Sequence, residues 1–401
     1  MATLCLYTAN FPYGQGEQFI ETEIQYLVNS FEKVIIIPRQ KTTDQRQVPS
    51  NVQVIIPEYS GYTTAKGLKQ LGKWIFLCLK DIVHAQKKKS AISAVIHAGY
   101  NANILYRLLA ANNLHNEKVL HYTYWFDEYS VSLSILKSKQ LINFYISRAH
   151  GFDLYTERRK EKFIPFRKLQ LNYVDKLCLI SHNGLDYMKD KYPKYAGKFD
   201  LSYLGVVNNT PFHYIGKSEK YLIVSCSRMV DIKRIDLIVK SLALIMNMPI
   251  RWIHFGDGTL LRQIKNLAEK ILPENIEVDF RRHVDNQVIY EFYRNNHIDC
   301  LINLSSSEGL PVSIMEAVSY GIPVVATDVG GISEIVTNQT GTLLKENFKI
   351  EDAKNAILDI LYNKSDNIEF RKEIYEFWKQ NFNAEKNYLD FIDKIKNNFC
   401  V

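Results

Sequence analysis

The stretch Cys300-Leu301-Ile302-Asn303-Leu304-Ser305-Ser306-Ser307-Glu308-Gly309-Leu310-Pro311-Val312-Ser313-Ile314-Met315-Glu316, closed by Gly321-Ile322-Pro323 and the run Val324-Val325-Ala326, decides how the chain reads. A short apolar run comes first, then a small polar loop, then a segment bracketed by proline and glycine, then a second apolar run. Pro suits the first helical position and Gly the position past the last one, so a short helix is expected to begin at Pro311. Strand, helix and strand in that order form a parallel crossover unit. Glu308 then lies in the loop ahead of the helix, and Glu316 roughly two turns into it. The first helical amides lack partners and the helix dipole favours negative charge, which makes an anion site. Carboxylates beside an anion site suit a ligand that carries both phosphate and hydroxyl groups, such as a sugar joined to a diphosphate and a ribose.

The same alternation runs through the whole chain. Strands are expected at Thr3–Thr8, Lys33–Pro38, Val52–Pro57, Ala91–His97, Lys118–Tyr122, Ile142–Ser147 and Lys176–Ser181. In the second half they are expected at Tyr221–Ser227, Ile250–Phe255, Ile276–Phe280, Cys300–Leu304, Pro323–Ala326 and Gly341–Leu343. Loop signals and an amphipathic segment follow each run, the pattern of α/β parallel sheets covered by helices on both faces. The rhythm resets across Gly205–Lys220, rich in Asn, Pro, Gly and Lys, which places a domain boundary there. At 401 residues the chain is long enough for two such domains.

Glu308 and Glu316, separated by seven residues and accompanied by Gly309, Pro311 and a Gly330-Gly331 turn leading to Glu334, resemble the E-x7-E signature of retaining glycosyltransferases of the GT-B fold, family 4. The resemblance covers almost the whole chain and is strongest from Tyr221 to Leu344. It implies two Rossmann-like domains facing across a cleft, with a C-terminal helix crossing back to the first. The expected ranges are 1–207 for an acceptor-side domain, 208–376 for a nucleotide-sugar domain and 377–401 for the returning helix. The implied activity is metal-independent transfer of a hexosyl or N-acetylhexosaminyl group from a nucleoside-diphosphate sugar, UDP favoured over GDP, with no further cofactor. The acceptor would be a glycan or lipid-linked oligosaccharide in surface polysaccharide, lipopolysaccharide or capsule synthesis.

The resemblance also implies site residues. Glu316 would hold the ribose hydroxyls and Glu308 the donor sugar, with amides of Gly309 and Leu310 on sugar or phosphate oxygens. Arg228, at the end of a strand, and Lys233, five residues on, match the pair that stabilises the leaving diphosphate. Two fixed cations are what that developing charge requires. In Phe11-Pro12-Tyr13-Gly14-Gln15-Gly16-Glu17, Gly16 is expected against the donor, and Gly14 and Gln15 against the acceptor, because glycines let backbone approach a ligand closely. His150-Gly151-Phe152-Asp153 resembles the His-Gly-x-Asp loop near the donor sugar, with His150 catalytic and Asp153 facing the acceptor; His121 competes for the acceptor role. His283 and Val284 are expected near the base. They follow Arg282, where the family usually has Gly, and this departure leaves the base pocket open.

Composition bounds the alternatives. No apolar run is long enough to span a bilayer, and Met1 to Asn10 lacks the basic flank and apolar length of a signal peptide. Cys5, Cys78, Cys178, Cys226, Cys300 and Cys400 are scattered with no C-x-x-C pair, so reduced thiols and a cytoplasmic location are expected. The net charge of +7 favours phosphates or an anionic membrane surface, with no nucleic acid implied. Lys66, Lys69, Lys73, Lys80 and Lys87 fall on one helical stripe opposite Leu68, Leu71, Ile75, Leu79, Ile82 and Val83, which reads either as a helix with a solvated basic side or as a peripheral membrane contact. Neither a D-x-D metal motif nor H-E-x-x-H nor G-x-S-x-G occurs. Two other readings stay open: a non-catalytic sugar-nucleotide-binding assembly subunit, and another enzyme on the scaffold such as an epimerase or phosphorylase.

Overall fold

The computed structural model describes residues 2–399 except 15, 43, 60–62, 64, 66–68, 70–74, 77, 79–87 and 160–161. The chain forms two compact units. One comprises Met1–Tyr203 together with Tyr388–Val401, the other Leu204–Asn387. The breaks therefore fall at Leu204 and Tyr388, and residues 377–387 lie with the second unit. Most of the basic stripe between Lys66 and Lys87 lies outside the described residues.

In the first unit, strands β1 (Thr3–Thr8), β2 (Lys33–Pro38), β3 (Val52–Val54), β4 (Val119–Thr123), β5 (Tyr145–Ala149), β6 (Lys176–Leu179) and β7 (Phe199–Leu201) form one sheet in the order β3-β2-β1-β4-β5-β6-β7. Every neighbouring pair is parallel. Side chains alternate between faces along a strand, and both faces are buried, which is why these strands read as unbroken apolar runs. Cys5, Tyr7, Ile35 and Ile37 enter one core with Leu105 and Leu109 of the helix Lys88–Ala111 and Leu133 of the helix Glu128–Ser138. Leu4, Leu6, Val34 and Ile36 enter the other with Ile20, Ile24 and Leu27 of the helix Phe19–Ser30 and Phe391, Ile392 and Ile395 of the last helix.

The second unit repeats the plan. Strands β8 (Tyr221–Cys226), β9 (Ile250–Phe255), β10 (Ile276–Phe280), β11 (Cys300–Asn303), β12 (Val324–Thr327) and β13 (Gly341–Leu344) are ordered β10-β9-β8-β11-β12-β13, again all parallel. The molecule is thus an α/β protein of two parallel sheets with interleaved helices, as the alternation predicts.

Three local expectations are corrected. Ala91–His97 lies inside the helix Lys88–Ala111; Val95, Ala102, Leu105 and Leu109 are buried at helical spacing, and a short apolar run cannot by itself separate strand from helix. The short edge strand β7 has no expected counterpart. Pro311 is the residue before the helix Val312–Val318, with extended ψ of 114°, so Glu316 stands early in the second turn.

Candidate active site

In each unit the strand order reverses once, between β1 and β4 and between β8 and β11. Open parallel sheets bind ligands outside the carboxyl ends of the strands at that reversal, because the loops there diverge to opposite faces. In the second unit the loop after β8 carries Arg228 and Lys233, and the loop after β11 carries Glu308.

These two loops are joined. Lys233 Nζ donates to Glu308 Oε1 at 2.5 Å, with their side chains 19% and 10% exposed. Asn303 Nδ2 reaches the same oxygen at 3.4 Å. The Ser306 amide donates to the Ile232 carbonyl at 2.8 Å, closing one loop on the other. Arg234, in the left-handed region at φ 46°, donates to the Leu304 and Ser305 carbonyls at 2.6 and 3.0 Å and to Thr327 Oγ1 at 3.1 Å. It thereby fixes the ends of β11 and β12 beside Lys233. Gly330 explains the Gly-Gly turn: its φ is +60°, and a Cβ there would stand 1.9 Å from the Glu308 carbonyl oxygen. The Gly331 amide donates to the Gly309 carbonyl at 2.7 Å, so this turn supports the Glu308 loop from beneath.

Glu316 is 5% exposed and accepts a hydrogen bond from the Tyr290 hydroxyl at 2.7 Å. Burial pushes its carboxyl up to about 7, against the lowering effect of that bond. Such a group changes charge near neutrality and can serve as donor or acceptor to a hydroxyl. Gly309 is half-buried and Leu310 buried. Arg228 differs from its expected partner: its side chain is exposed, whereas Lys233 is drawn onto Glu308. His283 is exposed and Val284 half-buried. Arg282, where Gly is usual in the resembled family, keeps the backbone a glycine would have, with φ 53°, and its carbonyl accepts from the Gly256 amide at 2.8 Å. Beneath the β8 loop, His254 Nε2 donates to the Ser227 carbonyl at 3.1 Å while Nδ1 accepts from Ser225 Oγ at 2.8 Å. Burial lowers that imidazole to about 4, so it works as a neutral strut.

In the first unit a residue that the motif reading passed over organises the β1 loop. Glu17, buried at φ 59°, accepts from the amides of Ala9, Asn10 and Phe11 at 2.9, 2.7 and 2.7 Å and from the Trp125 indole at 2.5 Å. Its signal was a carboxylate inside a glycine-rich turn, which needs several donors to be buried. Arg46 holds the same loop from outside, donating to the carbonyls of Gly14 and Gly16. Gly14 has φ +64° and Gly16 is exposed, while Gln15 lies outside the described residues. Trp125 in turn packs on His150, ring centroids 4.4 Å apart, with Tyr124 stacked on the imidazole at 4.9 Å.

Burial bears on two acceptor-side expectations. Asp153 is 2% exposed, and its oxygens take the amides of His150 and Gly151 at 2.9 and 3.1 Å and of Phe126 at 2.9 Å. Burial pushes its carboxyl up, but His150 and these amides outweigh that and hold it below its usual range. It shapes the His150 loop and contributes to the lining of a cavity in the first unit. His121 is 1% exposed, bonded to the Tyr7 hydroxyl at 2.7 Å and lowered to about 3 by burial, so it is a core residue of the first unit.

Residues 209–380 match the model for glycosyl transferases group 1. An uncharacterized glycosyltransferase of Methanocaldococcus jannaschii is 27% identical over 65% of this chain and 69% of its own length. Protein CapJ of Staphylococcus aureus is 27% identical over 59% of this chain and 61% of its own. An O-antigen biosynthesis glycosyltransferase of Escherichia coli, WbnH, is 30% identical over 38% of this chain and 40% of its own. Among solved structures, sucrose-phosphate synthase of Thermosynechococcus elongatus superposes with TM-score 0.72 over 100% of this chain and 99% of that one, at 15% identity. Anabaena HepE in complex with UDP-glucose does so with TM-score 0.66 over 98% and 99%, also at 15% identity. The fold is therefore GT-B, and the matches support a group 1 glycosyltransferase.

Proposed function

We propose that the chain is a retaining, metal-independent glycosyltransferase that moves a sugar from a nucleoside-diphosphate sugar, UDP favoured, to a glycan or lipid-linked acceptor in surface polysaccharide synthesis. The observation that carries it is the Lys233–Glu308 pair, set with the buried Glu316 on the elements that follow β8 and β11 at the strand-order reversal. On this reading Glu316 binds the ribose hydroxyls, with Tyr290 steadying its carboxyl, and Glu308 binds the donor sugar. Amides of Gly309 and Leu310 meet sugar or phosphate oxygens. Lys233 exchanges part of its contact with Glu308 for the diphosphate as charge develops there, and the exposed Arg228 adds a second, planar cation. His283 and Val284 lie toward the base. His150, Gly14, Gln15 and Gly16 contribute from the first unit, which binds the acceptor. The departing phosphate takes the acceptor proton on the face it leaves, so no separate base is required. A cytoplasmic location follows from the intracellular supply of such donors. UDP-glucose in a structural relative and O-antigen synthesis in a sequence relative both favour this assignment.

A panel of UDP-, GDP- and ADP-sugars tests it. UDP-sugars should raise the melting temperature by mass action, and release of UDP should fall about 100-fold in Glu308→Ala, the scale of losing one fixed polar contact to a transition state. Nucleotide release equal in wild type and Glu308→Ala would sink the proposal.

A further inference from the structure

The His150 imidazole is folded away from any ligand. The residue is 8% exposed, and both ring nitrogens are closed off from solvent with no hydrogen-bond partner among the described residues. Nδ1 lies 3.7 Å from Asp153 Oδ2, beyond hydrogen-bond distance. A neutral imidazole carries one donor and one acceptor, and burying both unpaired is costly. An arrangement that uncovers the ring would relieve that cost.

Three rings lie against the imidazole, with centroids at 4.4 Å for Trp125, 4.9 Å for Tyr124 and 6.1 Å for Phe19. Tyr124 is fully buried, and Phe19 opens the helix Phe19–Ser30, so the core holds one and the helix the other. Trp125 differs. It is half-buried, sits in the bend between β4 and the helix Glu128–Ser138, and lines a cavity of about 740 Å³. Its indole is tied down by the bond to Glu17 Oε1 at 2.5 Å. When the indole leaves, that carboxylate still accepts from the amides of Ala9, Asn10 and Phe11. Release therefore gives up one bond and keeps the β1 loop closed on Glu17. The cavity is larger than an indole ring and gives the side chain a place to go.

We propose that Trp125 is a gate over His150 and Glu17 its latch: the imidazole meets a ligand only after the indole leaves Glu17 Oε1 and turns into the cavity. A hydroxyl-bearing ligand suits the uncovered ring, because a hydroxyl can donate to one nitrogen or accept from the other. What the uncovered histidine does for transfer rests on the sugar-transfer reading; the covering does not.

Diethyl pyrocarbonate, which acylates imidazole nitrogens that reach solvent, tests the gate on the full chain near neutral pH. Mass spectrometry of one digest follows His150 beside His283, which is exposed and serves as the reference. His150 should react about tenfold slower than His283 or slower still, because access waits on a local opening. Trp125→Ala should bring the two rates within about threefold of each other. Trp125→Phe keeps a ring on the imidazole and removes only the indole donor, so it should speed His150 about threefold. It decides the matter should Trp125→Ala fail to fold. Equal rates at His150 and His283 in the wild type would overturn the proposal. Trp125→Phe left at the wild-type rate would overturn the latch, and Trp125→Ala left there would overturn the gate. Acylation is read without turnover, so nucleotide release unaffected by Glu308→Ala would sink the transfer reading and leave the gate standing.

Discussion

Glu316 shows how one side chain links stability to the chemistry of its site. A carboxylate with a single hydroxyl partner and 5% exposure is penalised when charged, and its folded value near 7 exceeds the 4.5 of an unperturbed glutamate. The folded state then binds a proton more tightly than the unfolded chain does. Its stabilising contribution is complete below about pH 4.5 and is lost as pH rises through 7, by up to about 3 kcal/mol in total. Asp127, raised to about 7 by burial against the pull of Arg39, acts in the same direction from the first unit. Glu316→Gln should therefore raise the melting temperature at pH 8, change it little at pH 4.5, and flatten the pH profile between. A profile identical to wild type would show that the carboxyl titrates normally. The motif identified this residue, but its charge state depends on the depth at which it is buried. Asp153 and His121 show how burial reassigns a motif residue: both were expected at the acceptor, and one organises the His150 loop while the other, bonded to the Tyr7 hydroxyl, lies in the core.

At the scale of elements, loops after strands carry the candidate chemistry, and their backbone demands were partly legible. Gly330 was quoted for its pairing with Gly331; only the structure shows that the Glu308 carbonyl leaves no room for a side chain there. Arg282 is the informative exception. Its φ of 53° costs a non-glycine residue roughly 1–2 kcal/mol. Arg282→Gly should thus be neutral or stabilising by about 1 kcal/mol, since the relief is partly offset by the extra freedom of glycine in the unfolded chain. Arg282→Val should destabilise by about 1–2 kcal/mol, because branching adds to the same strain. Denaturant unfolding of the two variants checks both signs, and equal midpoints would refute the backbone argument. Glu17 and Arg234 escaped the motif reading for a common reason. Each bonds mainly to backbone groups, and no spacing rule announces which carbonyl or amide a side chain will meet.

At the scale of the whole molecule, the first unit is built from both ends of the chain. Tyr388 and Phe391 of the last helix cover an ion pair that is wholly buried, Arg148 Nη1 to Glu23 Oε2 at 3.3 Å. The guanidinium carbon lies 4.3 Å from the Phe391 ring centroid and within 6.0 Å of those of Tyr122, Tyr124 and Tyr388. Burial pushes the Glu23 carboxyl up, while Arg148 and the Tyr122 hydroxyl draw it down. Such a pair depends on exclusion of water and on the aromatic faces around the cation. Phe391→Ala should remove about 3–5 kcal/mol from the first unit. Amide exchange in β5 should accelerate accordingly, with β8 to β13 unaffected. Uniform protection across both sheets would contradict it. Among the described residues no helix is long and apolar enough to cross a membrane. Among the described residues, the thiols of Cys5, Cys178, Cys226 and Cys300 are free.

By itself the sequence determined the two parallel sheets and nearly every strand, because a strand buried on both faces must be continuously apolar and turns demand glycine and proline. Only the tertiary structure decided which polar groups are locked in the core, that Lys233 meets Glu308, and that Arg148 is buried at all. Those outcomes depend on contacts between residues far apart in the chain, and no local pattern records what a side chain will find across the sheet.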